Sequence, residues 1–149
     1  MKPKSATILL VEDDPDDAEL VIKAFRGAGF QNPIHVVASG AEAIQYLKGE
    51  GPYMDRAKFA LPRLVLLDIA MPGIDGWGVL TWLTQHREFP FMAVIVFTGS
   101  IAPGDEEKAL RLGAAAYEVK PPTFQELVKI VDKIASFWLL PPLPEKTET

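Results

Sequence analysis

Near its beginning the chain reads Thr7-Ile8-Leu9-Leu10-Val11-Glu12-Asp13-Asp14-Pro15. The apolar, β-branched half of this stretch predicts a short strand that is buried on both faces. The pair Asp14-Pro15 is typical of a helix start, because an aspartate caps free N–H groups and a proline suits the first helical turn. The stretch therefore predicts a buried strand, an acidic turn and a helix in immediate succession.

The same succession recurs along the rest of the chain. Short apolar runs alternate with amphipathic segments whose ends carry capping residues, such as the capping box from Ser39 to Glu42. This alternation predicts an α/β fold, a doubly wound parallel sheet of five strands with five helices on its two faces. The predicted strands are residues 7–11, 34–38, 64–67, 93–97 and 115–119, and the predicted helices begin near residues 15, 40, 76, 103 and 124.

The length of the chain, 149 residues, fits one domain. We expect this domain to span residues 1–140 and to be followed by a proline-rich, flexible tail over residues 141–149. Residues 50–62 are polar and contain glycine and proline, so they are interpreted as a connection between the second helix and the third strand.

Charge and composition exclude several classes of protein. A net charge of −5 without a cluster of lysine and arginine argues against nucleic acid as a partner. The absence of cysteine removes disulfides, thiolate metal sites and cysteine nucleophiles. No apolar run approaches the length that crosses a bilayer, and no cleavable signal pattern is present. We therefore expect a cytoplasmic protein that does not bind membranes.

Polar residues follow the predicted strands at the points where the strands end. Glu12 and Asp13 follow the first strand, Asp68 follows the third, Thr98 the fourth and Lys120 the fifth. Ligands of open parallel sheets bind beyond the carboxyl ends of the strands. We therefore expect these five side chains to converge in one crevice.

This set of side chains has a definite chemistry. Neighbouring carboxylates repel one another unless a cation neutralises them or one of them takes a proton. Oxygen ligands suit a hard cation such as Mg²⁺. A carboxylate beside that cation can attack a phosphoryl group and form an aspartyl phosphate. A lysine can then stabilise the charge on the phosphoryl oxygens, and a threonine hydroxyl can donate a hydrogen bond to one of them.

From about residue 7 to residue 138 the chain resembles the receiver domains of response regulators. Four motifs carry the resemblance, in order and each after its own strand, and they imply a flavodoxin-like receiver fold with the strand order 2-1-3-4-5. The motifs are Leu9-Leu10-Val11-Glu12-Asp13-Asp14, Leu67-Asp68-Ile69-Ala70-Met71-Pro72-Gly73-Ile74-Asp75-Gly76, Phe97-Thr98-Gly99-Ser100 and Tyr117-Glu118-Val119-Lys120-Pro121.

The resemblance implies that Asp68 accepts a phosphoryl group from a sensor histidine kinase in a Mg²⁺-dependent phosphorelay. Glu12, Asp13 and Asp68 would bind the Mg²⁺ together with the backbone carbonyl of Ala70, and Asp13 would be the direct ligand of the acidic pair. The chain would signal through protein contacts, and its only catalysis would be its own phosphorylation and dephosphorylation.

The same resemblance assigns a switch. Thr98 and Lys120 would sense the phosphoryl group, and Tyr117 would be the aromatic residue that changes rotamer. It also implies a cis peptide bond before Pro121, which the sequence by itself does not suggest because few X-Pro bonds are cis.

A narrower resemblance concerns the end of the chain. The long connection after the second helix, the ending Phe137-Trp138-Leu139 and the proline-rich tail resemble stand-alone regulators that serve phytochrome-type histidine kinases. Apolar residues from Phe137 to Leu140 spill around the end of the last helix, which is typical of an exposed patch. Two expectations stay open: these residues belong to the core, or they form a homodimer face with the fourth helix and the fifth strand.

Two positions depart from the residues that speed hydrolysis in this family. Ala70 and Ser100 lie two residues after Asp68 and Thr98. Neither side chain orients a water molecule as well as an amide or a carboxylate does. The sequence therefore predicts slow loss of the phosphoryl group.

Three other functions are weighed against this one. A phosphatase with an aspartate nucleophile commonly carries a second aspartate two residues later, where this chain has Ala70. A nucleotide-binding module needs a glycine-rich loop after the first strand, where this chain has the acids from Glu12 to Asp14. A receiver that serves only as an unphosphorylated scaffold has no need of Asp68 and its intact partners.

Overall fold

The computed structural model describes residues 6–70, 76–86, 92–99 and 102–139. Within these residues, five parallel strands alternate with five α-helices, as the sequence predicts. The elements in chain order are β1 (Ile8–Val11), α1 (Pro15–Gly27), β2 (Ile34–Val37), α2 (Gly40–Lys48), a short 3-10 helix (Gly51–Tyr53), β3 (Leu64–Leu67), α3 (Gly76–Thr84), β4 (Ala93–Thr98), α4 (Asp105–Arg111), β5 (Ala116–Val119) and α5 (Phe124–Trp138).

The sheet has the order β2-β1-β3-β4-β5, and every neighbouring pair is parallel. The chain therefore starts in the middle of the sheet, moves to one edge with β2 and returns to build the other side. This reversal confirms the predicted order 2-1-3-4-5, and it leaves a crevice beyond the carboxyl ends of β1 and β3.

The core is divided by the sheet into two apolar layers. On one face, Leu9 and Val11 of β1 pack with α2, α3 and α4. On the other face, Ile8 and Leu10 pack with α1 and α5, including the fully buried Phe25. Burial of both faces of β1 explains why its residues form a continuous apolar run. The helices pack on the two apolar faces of the sheet.

Side-chain caps fix where the helices begin. The Asp14 carboxylate accepts hydrogen bonds from the backbone N–H groups of Asp16 and Asp17, at 2.9 and 3.4 Å. The Ser39 hydroxyl accepts one from the N–H of Glu42 at 3.1 Å, which confirms the first half of the predicted capping box. The Glu42 carboxylate accepts from the N–H of Ala38 at 2.9 Å, one residue before the cap. The fourth helix begins at Asp105, two residues later than predicted, because Gly104 is left-handed with φ of 84° and cannot continue a helix.

The connection from α2 to β3 is more ordered than the sequence predicts. It contains a 3-10 helix, and Tyr53 at the end of that helix is only 9% exposed. The Tyr53 ring lies 5.1 Å from the ring of Phe59, and the hydroxyl of Tyr46 donates to the carbonyl of Ala60 at 2.8 Å. Aromatic burial therefore orders a segment whose glycine, proline and charged residues indicate only a polar loop.

Arg56 ties this connection to the end of α2. Its guanidinium donates to the backbone carbonyls of Tyr46 and Phe59, at 2.9 and 3.1 Å, and to that of Leu47 at 2.7 Å. We expect Arg56→Ala to lower the free energy of unfolding by about 1–3 kcal/mol, because carbonyls at the helix end lose charged donors. Urea denaturation measures the change, and the exposed Lys58→Ala is the control. Equal stability of the two variants would show that the clamp adds nothing.

Two further expectations concern the tail of the chain and the membrane. The predicted tail, residues 141–149, lies outside the described residues, and so does Leu140. In the part of the chain that the structure describes, no helix has both the length and the apolar character needed to cross a membrane.

Candidate functional site

The predicted site residues come together at the carboxyl edge of the sheet. Glu12 and Asp13 follow β1 directly, and Asp68 follows β3. Thr98 is the last residue of β4, and Lys120 is the first residue after β5. All five therefore lie at or just beyond the carboxyl ends of strands, at the same edge of the sheet, as the sequence predicts.

Backbone hydrogen bonds hold these strand ends in register. The N–H of Asp68 donates to the carbonyl of Val11 at 3.2 Å, and the N–H of Lys120 donates to the carbonyl of Thr98 at 2.8 Å. The parallel ladder thus continues one step past the strands, and the functional side chains start from a rigid backbone.

Three carboxylates form a compact cluster. Oxygen atoms of Glu12, Asp13 and Asp68 lie within 4.8 Å of one another. Glu12 and Asp68 are buried, at 3% and 8% exposure, whereas Asp13 is exposed to solvent. Oxygen-only ligands with one open side fit a hard divalent cation that keeps some of its water. The three carboxylates therefore fit a divalent cation.

The Lys120 ammonium lies against this cluster. It forms a short hydrogen bond with Glu12, and its nitrogen is 3.4 Å from Asp68 Oδ2 and 3.7 Å from Asp17 Oδ2. Burial by itself lowers the pKa of Lys120, but the hydrogen bond to Glu12 and the charges of the three acids outweigh burial and raise it. Lys120 is therefore held as a cation in direct contact with Asp68.

Glu12 is the most buried acid of the site. Burial raises the pKa of Glu12, and this effect exceeds the opposing influence of Lys120 and of the Asp14 N–H, which donates to Glu12 Oε2 at 3.2 Å. Additional positive charge nearby would stabilise the ionised form of this buried carboxyl group. This is what a divalent cation among the three carboxylates would supply.

The backbone around Asp68 is fixed on two sides. The N–H of Ala70 donates to Asp68 Oδ1 at 3.0 Å, so one carboxylate oxygen is oriented by its own loop. Gly76, the first residue of α3, approaches so closely that a Cβ there would lie 2.5 Å from the Asp68 carbonyl oxygen. Ala70 itself is exposed, and its methyl group offers no polar atom beside Asp68.

Thr98 and Tyr117 share one face of the sheet. Thr98 is fully buried. Val96 and Tyr117 lie opposite each other in the β4–β5 ladder, so by strand alternation Thr98 points to the face on which Tyr117 packs. Tyr117 is only partly buried; burial raises its pKa, and so do the charges of Asp105 and Glu106 on α4.

Two details of the expectations are changed, and a third is not tested. The peptide bond before Pro121 is trans, so the cis bond implied by the resemblance is wrong here; trans is the more stable isomer of an X-Pro bond. Leu139 belongs to the core at 4% exposure, whereas Phe137 is 74% exposed. The apolar ending is therefore divided between core and surface, because a helical end points successive side chains in different directions. Ser100 lies outside the described residues.

Sequence reasoning missed the contact of Asp17 with Lys120. In the sequence Asp17 is one of two neighbouring acids in the first turn of α1, with nothing to mark it as a site residue. The available signal is its position in the first turn of a helix that starts at the carboxyl edge of β1, beside the strand-end crevice. That signal does not single out Asp17 from Asp16 without the structure.

Comparison with known proteins agrees with this geometry. Residues 8–132 match the family described as "Response regulator receiver domain". The chain is 33% identical to the probable methanogenesis regulatory protein FilR2 of Methanothrix harundinacea over 132 residues, which cover 89% of this chain and 83% of FilR2. It is 31% identical to the response regulator Rcp1 of Synechocystis over 132 residues, which cover 89% of this chain and 88% of Rcp1.

Solved structures show the same fold. The phosphorylated cyanobacterial phytochrome response regulator RcpA superposes with a TM-score of 0.82 at 31% identity, covering 91% of this chain and 94% of RcpA. The Mn²⁺-bound form of Rcp1 superposes with a TM-score of 0.80 at 31% identity, covering 93% of this chain and 99% of that one. Since the family match spans most of the chain and the fold and relatives agree with it, this protein belongs to the response regulator receiver domain family.

Proposed function

We propose that the chain accepts a phosphoryl group on Asp68 from a sensor histidine kinase, with Mg²⁺ bound, and signals through changed protein contacts. The observation that carries this proposal is the position of Asp68. Its carboxylate is buried, and one of its oxygen atoms lies within 4.8 Å of carboxylate oxygen atoms of Glu12 and Asp13. It also lies 3.4 Å from the Lys120 ammonium. A nucleophile, an acidic cation site and a fixed positive charge thus meet at one point.

In the proposed transfer, an Asp68 carboxylate oxygen attacks the phosphorus of a phosphohistidine. The new O–P bond forms as the N–P bond breaks, and the electron pair of the broken bond stays on the imidazole of the donor. Lys120 stabilises the negative charge on the phosphoryl oxygens. Mg²⁺, held by Glu12, Asp13, Asp68 and the backbone carbonyl of Ala70, would neutralise the carboxylates and the same phosphoryl oxygens.

The proposed switch uses the shared face of β4 and β5. The Thr98 hydroxyl donates to a phosphoryl oxygen, and Tyr117 turns toward the space behind Thr98. Because Tyr117 packs beside α4, its rotation would change the surface formed by α4, β5 and α5. Phosphorylation then shifts the population between two states of this surface. The exposed Phe137 at the end of α5 extends the surface toward a partner or a second copy.

The identity of the kinase is proposed from relatives. RcpA is described as a cyanobacterial phytochrome response regulator, and another similar structure, RPA3017, as a response regulator in red light signaling of R. palustris. RPA3017 is 28% identical and superposes with a TM-score of 0.85. These similarities support a phytochrome-type histidine kinase as the phosphoryl donor of this chain.

The proposed phosphoryl group is lost slowly. Ala70 provides no amide or carboxylate to orient a water molecule toward Asp68. We expect Ala70→Asn to shorten the phosphoryl lifetime by about tenfold, less than the roughly hundredfold or more that a positioned acid or base contributes, because an amide only orients the water molecule. Time-resolved intact mass measurement after removal of the donor gives both lifetimes. A wild-type lifetime of seconds in Mg²⁺ buffer would contradict this expectation.

Acetyl phosphate labelling tests the proposal as a whole. We expect one phosphoryl group to be added in the presence of Mg²⁺ and none in the presence of EDTA, as read by intact mass. If wild-type protein gains no phosphoryl group with Mg²⁺, the proposal fails, and a scaffold role becomes the better account of the fold.

A further inference from the structure

Lys120 has a carboxylate partner that the proposed phosphoryl transfer does not use. Asp17 Oδ2 lies 3.7 Å from the Lys120 nitrogen. The Asp17 side chain is 47% exposed, whereas those of Glu12 and Asp68 are 2% and 10% exposed. The ammonium therefore contacts two buried acids and one partly exposed acid.

Asp17 also lies outside the metal-ligating cluster. Among the described residues, the carboxylates close enough to share a cation are those of Glu12, Asp13 and Asp68. Two of these three, Glu12 and Asp68, are also partners of Lys120. A divalent cation that enters the cluster must compete with the ammonium for the same two carboxylates.

The free-energy cost of this competition depends on which counter-charge the displaced Lys120 ammonium can still contact. The Lys120 side chain is 18% exposed, so an ammonium displaced from Glu12 and Asp68 keeps little water around it. A largely buried cation without a counter-charge is unfavourable. Of its three acidic partners, Asp17 is the one that lies outside the carboxylate cluster.

We infer that Asp17 is a positioning residue, which holds the Lys120 ammonium when a divalent cation binds to Glu12, Asp13 and Asp68. The inference rests on the proposed function, because it concerns the same site. It makes Asp17 the residue that lets cation and ammonium occupy the crevice together. Lys120 then stays charged and within reach of the phosphoryl group, and the metal keeps its ligands.

The local structure fixes Asp17 and offers a matched control. Asp17 lies in the first turn of α1, and its N–H donates to the Asp14 carboxylate at 3.4 Å. Asp16 shares this turn, this cap and this charge, with its N–H 2.9 Å from Asp14. Asp16 forms no ion pair with any residue that the structure describes. Asp17→Asn and Asp16→Asn therefore remove the same charge from the helix start, and only the first removes the contact with Lys120.

A Mn²⁺ titration tests the inference without relying on activity. The paramagnetic resonance signal of free Mn²⁺ gives its dissociation constant for each variant of the full chain. We expect Asp17→Asn to raise this constant about threefold relative to Asp16→Asn, the size of a single partly exposed ion pair. Asp17→Glu should restore most of the affinity. Equal constants for Asp17→Asn and Asp16→Asn would overturn the inference.

A Lys120 variant shows whether Asp17 affects Mn²⁺ affinity by holding the ammonium or by its own charge acting on the cation. In a Lys120→Met background, we expect Asp17→Asn and Asp16→Asn to bind Mn²⁺ equally well, because no ammonium needs to be held. If the threefold difference persists in that background, Asp17 acts directly on the cation and the inference is wrong. Circular dichroism of each variant shows whether the fold is retained, and Lys120→Gln serves as the background if Lys120→Met unfolds.

Failure of this inference differs from failure of the proposed function. Wild-type protein is labelled with acetyl phosphate in parallel with the titrations. Labelled wild type with equal Mn²⁺ constants for the two aspartate variants overturns only the role of Asp17. Unlabelled wild type overturns the proposed phosphoryl transfer, while the difference between the two titrations still decides whether Asp17 positions Lys120.

Discussion

Asp68→Asn is expected to abolish phosphoryl incorporation from both acetyl phosphate and a phosphorylated histidine kinase. The amide lacks the anionic oxygen that attacks phosphorus, and it also weakens the cation cluster with Glu12 and Asp13. The fold should be retained, because asparagine has nearly the same shape and its carbonyl oxygen can still accept from the N–H of Ala70. Intact mass measures the label, and circular dichroism checks the fold.

Asp55→Asn is the matched control for this variant. Asp55 is an exposed aspartate in the connection between α2 and β3, where its carboxylate accepts from the N–H of Ala57 at 3.0 Å. Its substitution removes one negative charge far from the strand ends and should leave labelling unchanged. Label retained in Asp68→Asn would show that another residue is the acceptor.

Gly76→Ala is expected to damage stability and phosphorylation together. The added Cβ would lie 2.5 Å from the Asp68 carbonyl oxygen and 2.5 Å from the Ile69 Cα. Both atoms belong to backbone, so relief requires movement of α3 or of the segment that carries Asp68. We expect the free energy of unfolding to fall by about 1–3 kcal/mol, as for other overpacked sites. Labelling by acetyl phosphate should slow about tenfold or more, because small displacements of a nucleophile are costly.

Gly27→Ala provides the comparison. Gly27 is the last residue of α1, and a Cβ there would make an ordinary contact of 3.7 Å with Val128. Alanine favours helix, so this variant should be as stable as wild type or more stable by up to about 1 kcal/mol. Urea denaturation compares the two variants. Normal stability and normal labelling of Gly76→Ala would refute the idea that close packing of α3 positions Asp68.

Local patterns were sufficient to predict most of the fold. Strands such as residues 64–67 are short apolar runs with acids or turns beside them, and caps such as Asp14 and Ser39 mark the helix starts. The strand order and the assignment of Asp68 as nucleophile came from the family motifs. Convergence of the strand-end residues followed from parallel topology, which brings distant positions to one edge.

Features that depend on tertiary contacts could not be predicted in this way. The ordered connection around Tyr53 depends on rings from α2 and the loop meeting in space, and composition indicates only polarity. The need for glycine at position 76 arises from the backbone of Asp68, eight residues earlier in sequence. The contact of Asp17 with Lys120 joins the first helix to the end of the last strand. None of these relations leaves a periodic signal in the sequence.

The central claim is that Asp68 becomes phosphorylated, and chemical trapping tests it most directly. Wild-type protein is incubated with acetyl phosphate and Mg²⁺ or EDTA, then reduced with borohydride, which converts an aspartyl phosphate to homoserine. Peptide mass spectrometry locates the modified position. The account predicts homoserine at position 68 in the Mg²⁺ sample and none in the EDTA sample. Homoserine at another carboxylate, or none at position 68 with Mg²⁺, would contradict it.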